Sequence, residues 1–331
     1  MSKQILNWLL ATVLLTTVFF AEAQQPTKIP RIGYLGVASF SASPARREAF
    51  RQGLRELGYV EGKSIVIEYR WAEGKFDRLP SLAAELVRLK VDIIVTAGPL
   101  PTRAAKEATT TIPIVMTNES DPVGTGFVAS LARPGGNITG LSTLAPELSG
   151  KRLELLKEIV PRLSRVAVFG TSTLPGNAQS LKEIELVAGA LKVKLQYLDI
   201  LDASSPKDLE TAFRAAVKGR ADAVLMMVAG GVTASHRTEI VELAVKSRLP
   251  VIYNRSDVVE DGGLMSYGVN LNDLDRRAAT FVDKILKGRT PADLPVEQPI
   301  KFEFIVNLKA AKQIGLTIPP NVLVRADKVI R

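Results

Sequence analysis

One histidine, no cysteine and 34 scattered acids leave this 331-residue chain few ways to make or break a bond. Without cysteine there is no thiolate zinc site, iron–sulfur cluster, disulfide, cysteine nucleophile or acylated cysteine. A single His236 cannot build a multi-histidine metal centre, and any hydrolytic triad would have to run through it. Glu239 follows three residues later, but there is no nucleophile-elbow serine and no second carboxylate at a fixed spacing, so a surface helix position suits His236 better. No carboxylate pair stands out for acid–base work. No catalytic residue, metal or cofactor is therefore expected, and the chemistry that remains is binding.

Residues suited to binding fall in two matching sets of loops. The first holds Ser39 and Phe40, then Gly98, Pro99 and Thr102, then Asn118 and Asp121. The second holds Thr171 and Ser172, then Ala229 and Gly230, then Tyr253 and Asn254. Small, hydroxylated and amide residues let backbone approach a small polar ligand and bond it directly. Gly98 and Gly230-Gly231 precede helices expected near Thr102 and Thr233, whose N-termini would suit a carboxylate; equally, such glycines only permit tight turns. Asp121 could neutralise a ligand ammonium or cap the next helix. Phe40, Tyr253 and Tyr267 could wall an aromatic group or pack in the core, and Trp71 is a lesser candidate of the same kind. Neither glycine loop is a dinucleotide or nucleotide-triphosphate fingerprint.

The elements that must carry these loops alternate. Apolar runs at Arg31 to Val37, Ile65 to Tyr69, Asp92 to Ala97 and Ile112 to Thr117 read as buried strands. Helical patterns separate them at Pro44 to Gly58, Leu79 to Leu89 and Thr102 to Thr109, so a parallel sheet with right-handed crossovers follows. The same series then returns about 130 residues later: RIGYLG with RVAVFG, VDIIVTAG with ADAVLMMVAG, IPIVMTN with LPVIYNR. Helices are expected at Gly176 to Leu191, Pro206 to Lys218 and Thr233 to Arg248. The fold class is α/β, two doubly wound parallel-sheet lobes joined by a multi-strand hinge. A further strand at Gly263 to Val269, a helix at Leu271 to Lys287 and a strand at Phe302 to Val306 return to the lobes, so the chain crosses between them more than once. In open parallel sheets ligands sit outside the carboxyl ends of strands, which makes the two loop sets the rims of one cleft.

Lys3, the apolar run Ile5 to Phe20 and Ala21-Glu22-Ala23 read as a cleaved secretory signal over residues 1–23, with a retained anchor as the alternative. The formal charge of +9 is spread along helices such as Lys151 to Glu158, as in a solvated face, and no basic arm or aromatic RNA-binding strand suggests a nucleic-acid partner.

The phrases FRQGLRELGYVEGKSIVIEYRWAEG from Phe50, TIPIVMTNESDPVGTGFVASLARPGGNITGLS from Thr111, ELSGKRLELLKEIVP from Glu147, GGLMSYGVNLNDLDRRAATFVDKILKG from Gly262 and FIVNLKAAKQIGLTIPP from Phe304 resemble the ABC transporter substrate-binding protein family that includes tryptophan/tyrosine-binding members. The resemblance implies a type I periplasmic-binding-protein fold with three hinge strands, a ligand in the cleft and delivery to a membrane permease. Asp121-Pro122-Val123 and Ser266-Tyr267-Gly268 match the family well. Gly170-Thr171-Ser172-Thr173 stands where many members have Asn-Pro, and Ala229-Gly230-Gly231 is smaller than usual, which leaves room for a ligand other than the aromatic amino acids of known relatives.

The expected molecule is a monomeric periplasmic solute-binding protein for an amino acid or related carboxylate with an apolar part, working with an ABC permease. The first lobe takes residues 28–142 plus about 270–295, the second about 143–269 plus about 296–331, with the C-terminal segment assignable to either. A ligand sensor for a membrane receptor and a two-lobe Rossmann-like enzyme are the alternatives.

Overall fold

Burial on both faces dictates the first sheet: strands reading RIGYLG and IIVTA have almost no polar side to turn to water, and they pair in parallel between layers of helix. In chain order the first lobe contains β1 (Arg31–Gly36), α1 (Pro44–Glu56), β2 (Val66–Trp71), α2 (Leu79–Arg88), β3 (Ile93–Ala97), α3 (Pro99–Ala108), β4 (Ile114–Glu119) and β5 (Ile138–Ser142). After α4 (Ala145–Ile159) the second begins with β6 (Arg165–Gly170), α5 (Asn177–Leu191), β7 (Lys194–Asp199), α6 (Pro206–Lys218), β8 (Ala223–Met226), α7 (Gly230–Ser235) and α8 (Arg237–Ser247). It continues with β9 (Val251–Tyr253), α9 (Ser256–Glu260) and β10 (Met265–Val269). The chain ends with α10 (Leu271–Leu286), β11 (Phe302–Asn307), α11 (Leu308–Gln313), α12 (Pro320–Leu323) and β12 (Lys328–Ile330). This computed structural model describes residues 29–170, 177–200, 206–227 and 230–331. The leader expected at 1–23 and the candidates Thr171, Ser172 and Ala229 lie outside the described residues.

The duplication read in the sequence is present in the topology. The first sheet runs β2-β1-β3-β4-β5, and within the second, β7-β6-β8-β9-β10 has the same order. Each repeated phrase supplies the equivalent strand: β1 and β6, β3 and β8, β4 and β9. All these pairings are parallel; the second sheet then adds β11 antiparallel to β10, with β12 along its edge. The two lobes are thus doubly wound α/β units.

Two boundaries differ from the sequence reading. The helix expected near Thr102 starts at Pro99, because proline suits a first turn where the missing N–H costs nothing. The single helix expected from Thr233 is two, α7 and α8, interrupted at His236, which has a non-helical backbone.

The crossings between lobes exchange helices. Although α4 follows β5 of the first sheet, it packs on α5 of the second lobe; α10 follows β10 of the second sheet and packs on α1 of the first. Gly53 makes the α1/α10 approach close, since a Cβ there would lie 2.2 Å from the Arg276 carbonyl oxygen. Arg46 Nε donates to Asp275 across this interface at 2.5 Å, and the Tyr34 hydroxyl donates to the same carboxylate at 3.2 Å. A third crossing brings residues 287–301 past β5, where Glu297 N donates to Gly140 O at 2.9 Å and Ser142 N to Glu297 O at 2.9 Å.

Candidate functional site

Because both sheets point their strand ends at each other, loops from the two lobes enclose one cleft, with a cavity volume of about 160 Å³. That is on the scale of the ~150 Å³ apolar cavity that admits a benzene-sized guest. From the first lobe come the loops after β1, β3 and β4; from the second, Asn177 and Ser180 on α5, Met227 at the end of β8, Ala234 on α7, and Asn254 and Arg255 after β9. The floor is hinge: Thr143 to Arg152 on and before α4, and Val269 and Leu271 around the start of α10.

Of the sequence candidates, Gly98, Pro99, Asn118, Asn254 and the lesser candidate Trp71 line this cleft. Asn118 is engaged from inside, its side-chain oxygen accepting from Arg46 at 3.2 Å and Thr117 at 2.8 Å. The buried Oδ1 of Asn254 has no hydrogen-bond partner among the described residues. Ser39 lines a neighbouring recess between the lobes with His236 and Arg237. Phe40 is half-exposed beyond the cleft mouth, edge-on to Tyr69 and Trp71 with the Arg47 guanidinium over its ring. Tyr253 is fully buried in the core of the second lobe, and Tyr267 packs between Phe302 and Phe304 at the hinge. Asp121 accepts from Gly124 N at 2.8 Å, so its carboxylate closes a local turn. Gly230 opens α7, whose six residues are too short to act as a dipole.

The anion site expected at the α3 N-terminus loses two of its three first-turn donors and keeps only the Leu100 N–H. Pro99 and Pro101 have no N–H, and the buried Thr102 hydroxyl is engaged by Gly98 O at 2.9 Å and Thr96 at 2.8 Å.

Arginine takes that place, and sequence reasoning missed it. Arg46, Arg47, Arg152 and Arg255 all line the cleft. Arg46 is neutralised by Asp275, and Arg255 by Asp257. Burial alone would raise Asp257, but Arg255 and Arg237 outweigh it and hold the carboxyl below the usual range. Arg152 differs. It is 4% exposed, Nε donates to Tyr267 O at 2.7 Å, Nη1 reaches Ser149 Oγ at 3.4 Å, and no acid faces it among the described residues. Burial pulls its pKa down to about 10, the mark of a cation without a counter-charge. Its helix offered a signal: Leu148, Arg152, Leu155, Leu156 and Ile159 share one buried stripe.

Apolar walls flank this cation. Trp71 and Tyr34 have ring centroids 5.4 Å apart, and Val37, Leu100, Leu148 and Met227 complete the lining. Trp71 lies over β1 only because residue 36 is glycine; a Cβ there would sit 2.3 Å from the indole.

Behind the cleft, Glu119 ends β4 fully buried, one oxygen taking Ser120 N at 2.9 Å and the other without a hydrogen-bond partner among the described residues. Burial pushes its carboxyl up to about 8, against the hydrogen bonds from Ser120 and Asp121 that lower it. The folded state therefore holds a proton that the unfolded state releases above its ordinary value of 4.5, and this group's contribution to stability falls as pH rises from there through about 8. Glu119→Gln is expected to flatten that slope, raising Tm more at pH 9 than at pH 5; thermal melts at the two pH values check it.

No group of three or more His, Cys, Asp or Glu in metal-binding proximity occurs among the described residues. No described helix is long and apolar enough to cross a membrane.

The ABC transporter substrate binding protein family matches residues 34–330. The chain belongs to this family. It is a substrate-binding protein rather than an enzyme, and the family places it outside the cytoplasm. It is 26% identical over 329 residues to a tyrosine-binding protein of Clostridioides difficile, covering 95% of this chain and 93% of that one. Among solved structures, a conserved domain protein from Vibrio cholerae superposes with a TM-score of 0.84 at 29% identity, over 91% of this chain and all of the other. An ABC domain from Streptococcus pneumonia in complex with L-Trp gives 0.83 at 25% identity, over 91% and 99%. A ligand-free, open substrate-binding protein from Clostridium difficile gives only 0.64 at 26% identity, over 92% and 99%. At near-equal identity and coverage, this chain superposes better on the relative in complex with L-Trp than on the ligand-free, open one.

Proposed function

We propose that the chain is the exported, monomeric, periplasmic receptor of an ABC importer, freed of residues 1–23, and that it delivers a small carboxylate with an apolar part to its permease. The lobes are taken as 28–142 plus about 270–295 and about 143–269 plus about 296–331. One observation carries the ligand class: buried Arg152, faced by no acid among the described residues, stands in the wall of a cleft where Trp71, Tyr34 and aliphatic side chains lie beside hydroxyl, amide and acid-paired arginine groups. A carboxylate supplies the missing counter-charge, and the walls bury the rest. The L-Trp complex and the tyrosine-binding relative support an amino-acid-like skeleton.

Closure is selective because the ligand touches both rims only when they meet. Arg237 Nη1 on α8 donates to Ala42 O of the first lobe at 2.8 Å while its Nε pairs with Asp261. Arg237→Ala removes this latch, and affinity is expected to fall roughly three- to tenfold, mainly through faster release, as befits one partly exposed charge-assisted bond. Stopped-flow dissociation checks it.

Calorimetry of the mature protein against amino acids and carboxylates tests the function, together with mass spectrometry of whatever the native protein releases on denaturation. Binding of a carboxylate-bearing compound is expected; no binding across the panel and no released cargo would overturn the reading.

A further inference from the structure

An α-amino acid brings two charges, and the cleft provides for one. Its described lining contains four arginines and no Asp or Glu. The nearest carboxylates, Asp275 and Asp257, lie behind Arg46 and Arg255 and are consumed by them. Glu119 does not line the cavity and favours its neutral form at neutral pH. Asp121 is tied to the Gly124 amide. Among the described residues an ammonium would meet only neutral acceptors, chiefly Asn254 Oδ1, in a wall whose net charge is already positive. Residues 171–176 and 228–229, which continue β6 and β8, contain no acid in sequence, and 201–205 contain one, Asp202.

Desolvating an ammonium without an acid, beside a buried guanidinium, is costly twice over: it loses water, and it meets a like charge at low local dielectric. The same skeleton without the amine keeps the carboxylate for Arg152 and the ring for Trp71 and adds no such cost. We infer that the cleft selects an apolar carboxylate anion with no charged amine, such as an arylalkanoate, over the zwitterionic amino acid of the same skeleton. This rests on the proposed function and narrows its ligand class. It would also separate this chain from relatives that hold L-Trp or tyrosine by name.

Matched pairs test it. Titration calorimetry at pH 7.5 compares 3-phenylpropionate with L-phenylalanine and indole-3-propionate with L-tryptophan. The amine-free member is expected to bind at least tenfold more tightly, an advantage that Arg152→Gln erases by abolishing its binding and that Asp202→Asn leaves unchanged. If the amino acid binds equally or more tightly, or if Asp202→Asn weakens it selectively, this inference falls and the binding function stands. If none of the four compounds binds and no other carboxylate does, the functional reading fails and this one with it.

Discussion

Arg152→Met is expected to weaken carboxylate binding by 100-fold or more while leaving the ligand-free protein at least as heat-stable as the parent. The two effects have one cause. Removing one partner of a buried, hydrogen-bonded charge pair costs about 2–5 kcal/mol of binding, or roughly 30- to several-thousand-fold. In the free protein Arg152 has no such partner among the described residues, where it bonds only the Tyr267 carbonyl and the Ser149 hydroxyl, so its desolvation opposes folding. Methionine fills comparable space on the apolar stripe of α4 without that penalty. Calorimetric titration and thermal melting of the same preparation check both halves. A variant that binds normally, or one that melts far below the parent, would mean that Arg152 is a structural strut.

Asp275→Ala is expected to lower Tm by on the order of 10 °C. Asp275 is fully buried, takes Arg46 Nε at 2.5 Å and the Tyr34 hydroxyl at 3.2 Å, and joins α10 to α1 and β1. Removing it strands a guanidinium that is 13% exposed and leaves the tyrosine hydroxyl without its acceptor. Breaking a buried pair from one side costs about 3–5 kcal/mol, which at roughly 2–4 °C per kcal/mol gives the stated shift. Replacing both partners, Arg46→Met with Asp275→Leu, is expected to recover most of the loss, since two apolar side chains leave no orphaned charge. Scanning calorimetry of ligand-free protein distinguishes the single from the double variant.

The architecture was legible in the sequence because parallel sheets impose apolar strands at regular intervals and because the repeat placed equivalent strands in register. Gly98, Pro99, Asn118 and Asn254 were reachable by the rule that ligands sit at strand carboxyl ends. Tyr253 and Asn254 show its limit. Neighbouring residues on a strand face opposite ways, and where the three-residue β9 stops decides which of them sees the cleft. The prolines that cost α3 two of its first-turn donors were also in plain view, at positions 99 and 101. The arginines were harder. The charges from Lys151 to Glu158 read as a solvated face, and only the buried stripe of α4 separates Arg152 from Lys151, its exposed neighbour. That no acid lies opposite Arg152 is a tertiary fact. The short strands β5, β7 and β12 escaped notice because five, six and three residues of mixed polarity carry little periodic signal.

The exchange of α4 and α10 bears on the order in which the molecule can be assembled. As the polypeptide emerges from the ribosome N-terminus first, Phe50 and Leu54 on α1 can pack on first-sheet residues such as Ile32 and Tyr34, but the cluster is completed only when residues as distant as Phe281 and Val282 arrive. A truncated product ending near Ser142 would therefore leave the side of α1 that meets α10 uncovered. On the proposed export route, an incomplete first lobe is the state a translocation channel requires.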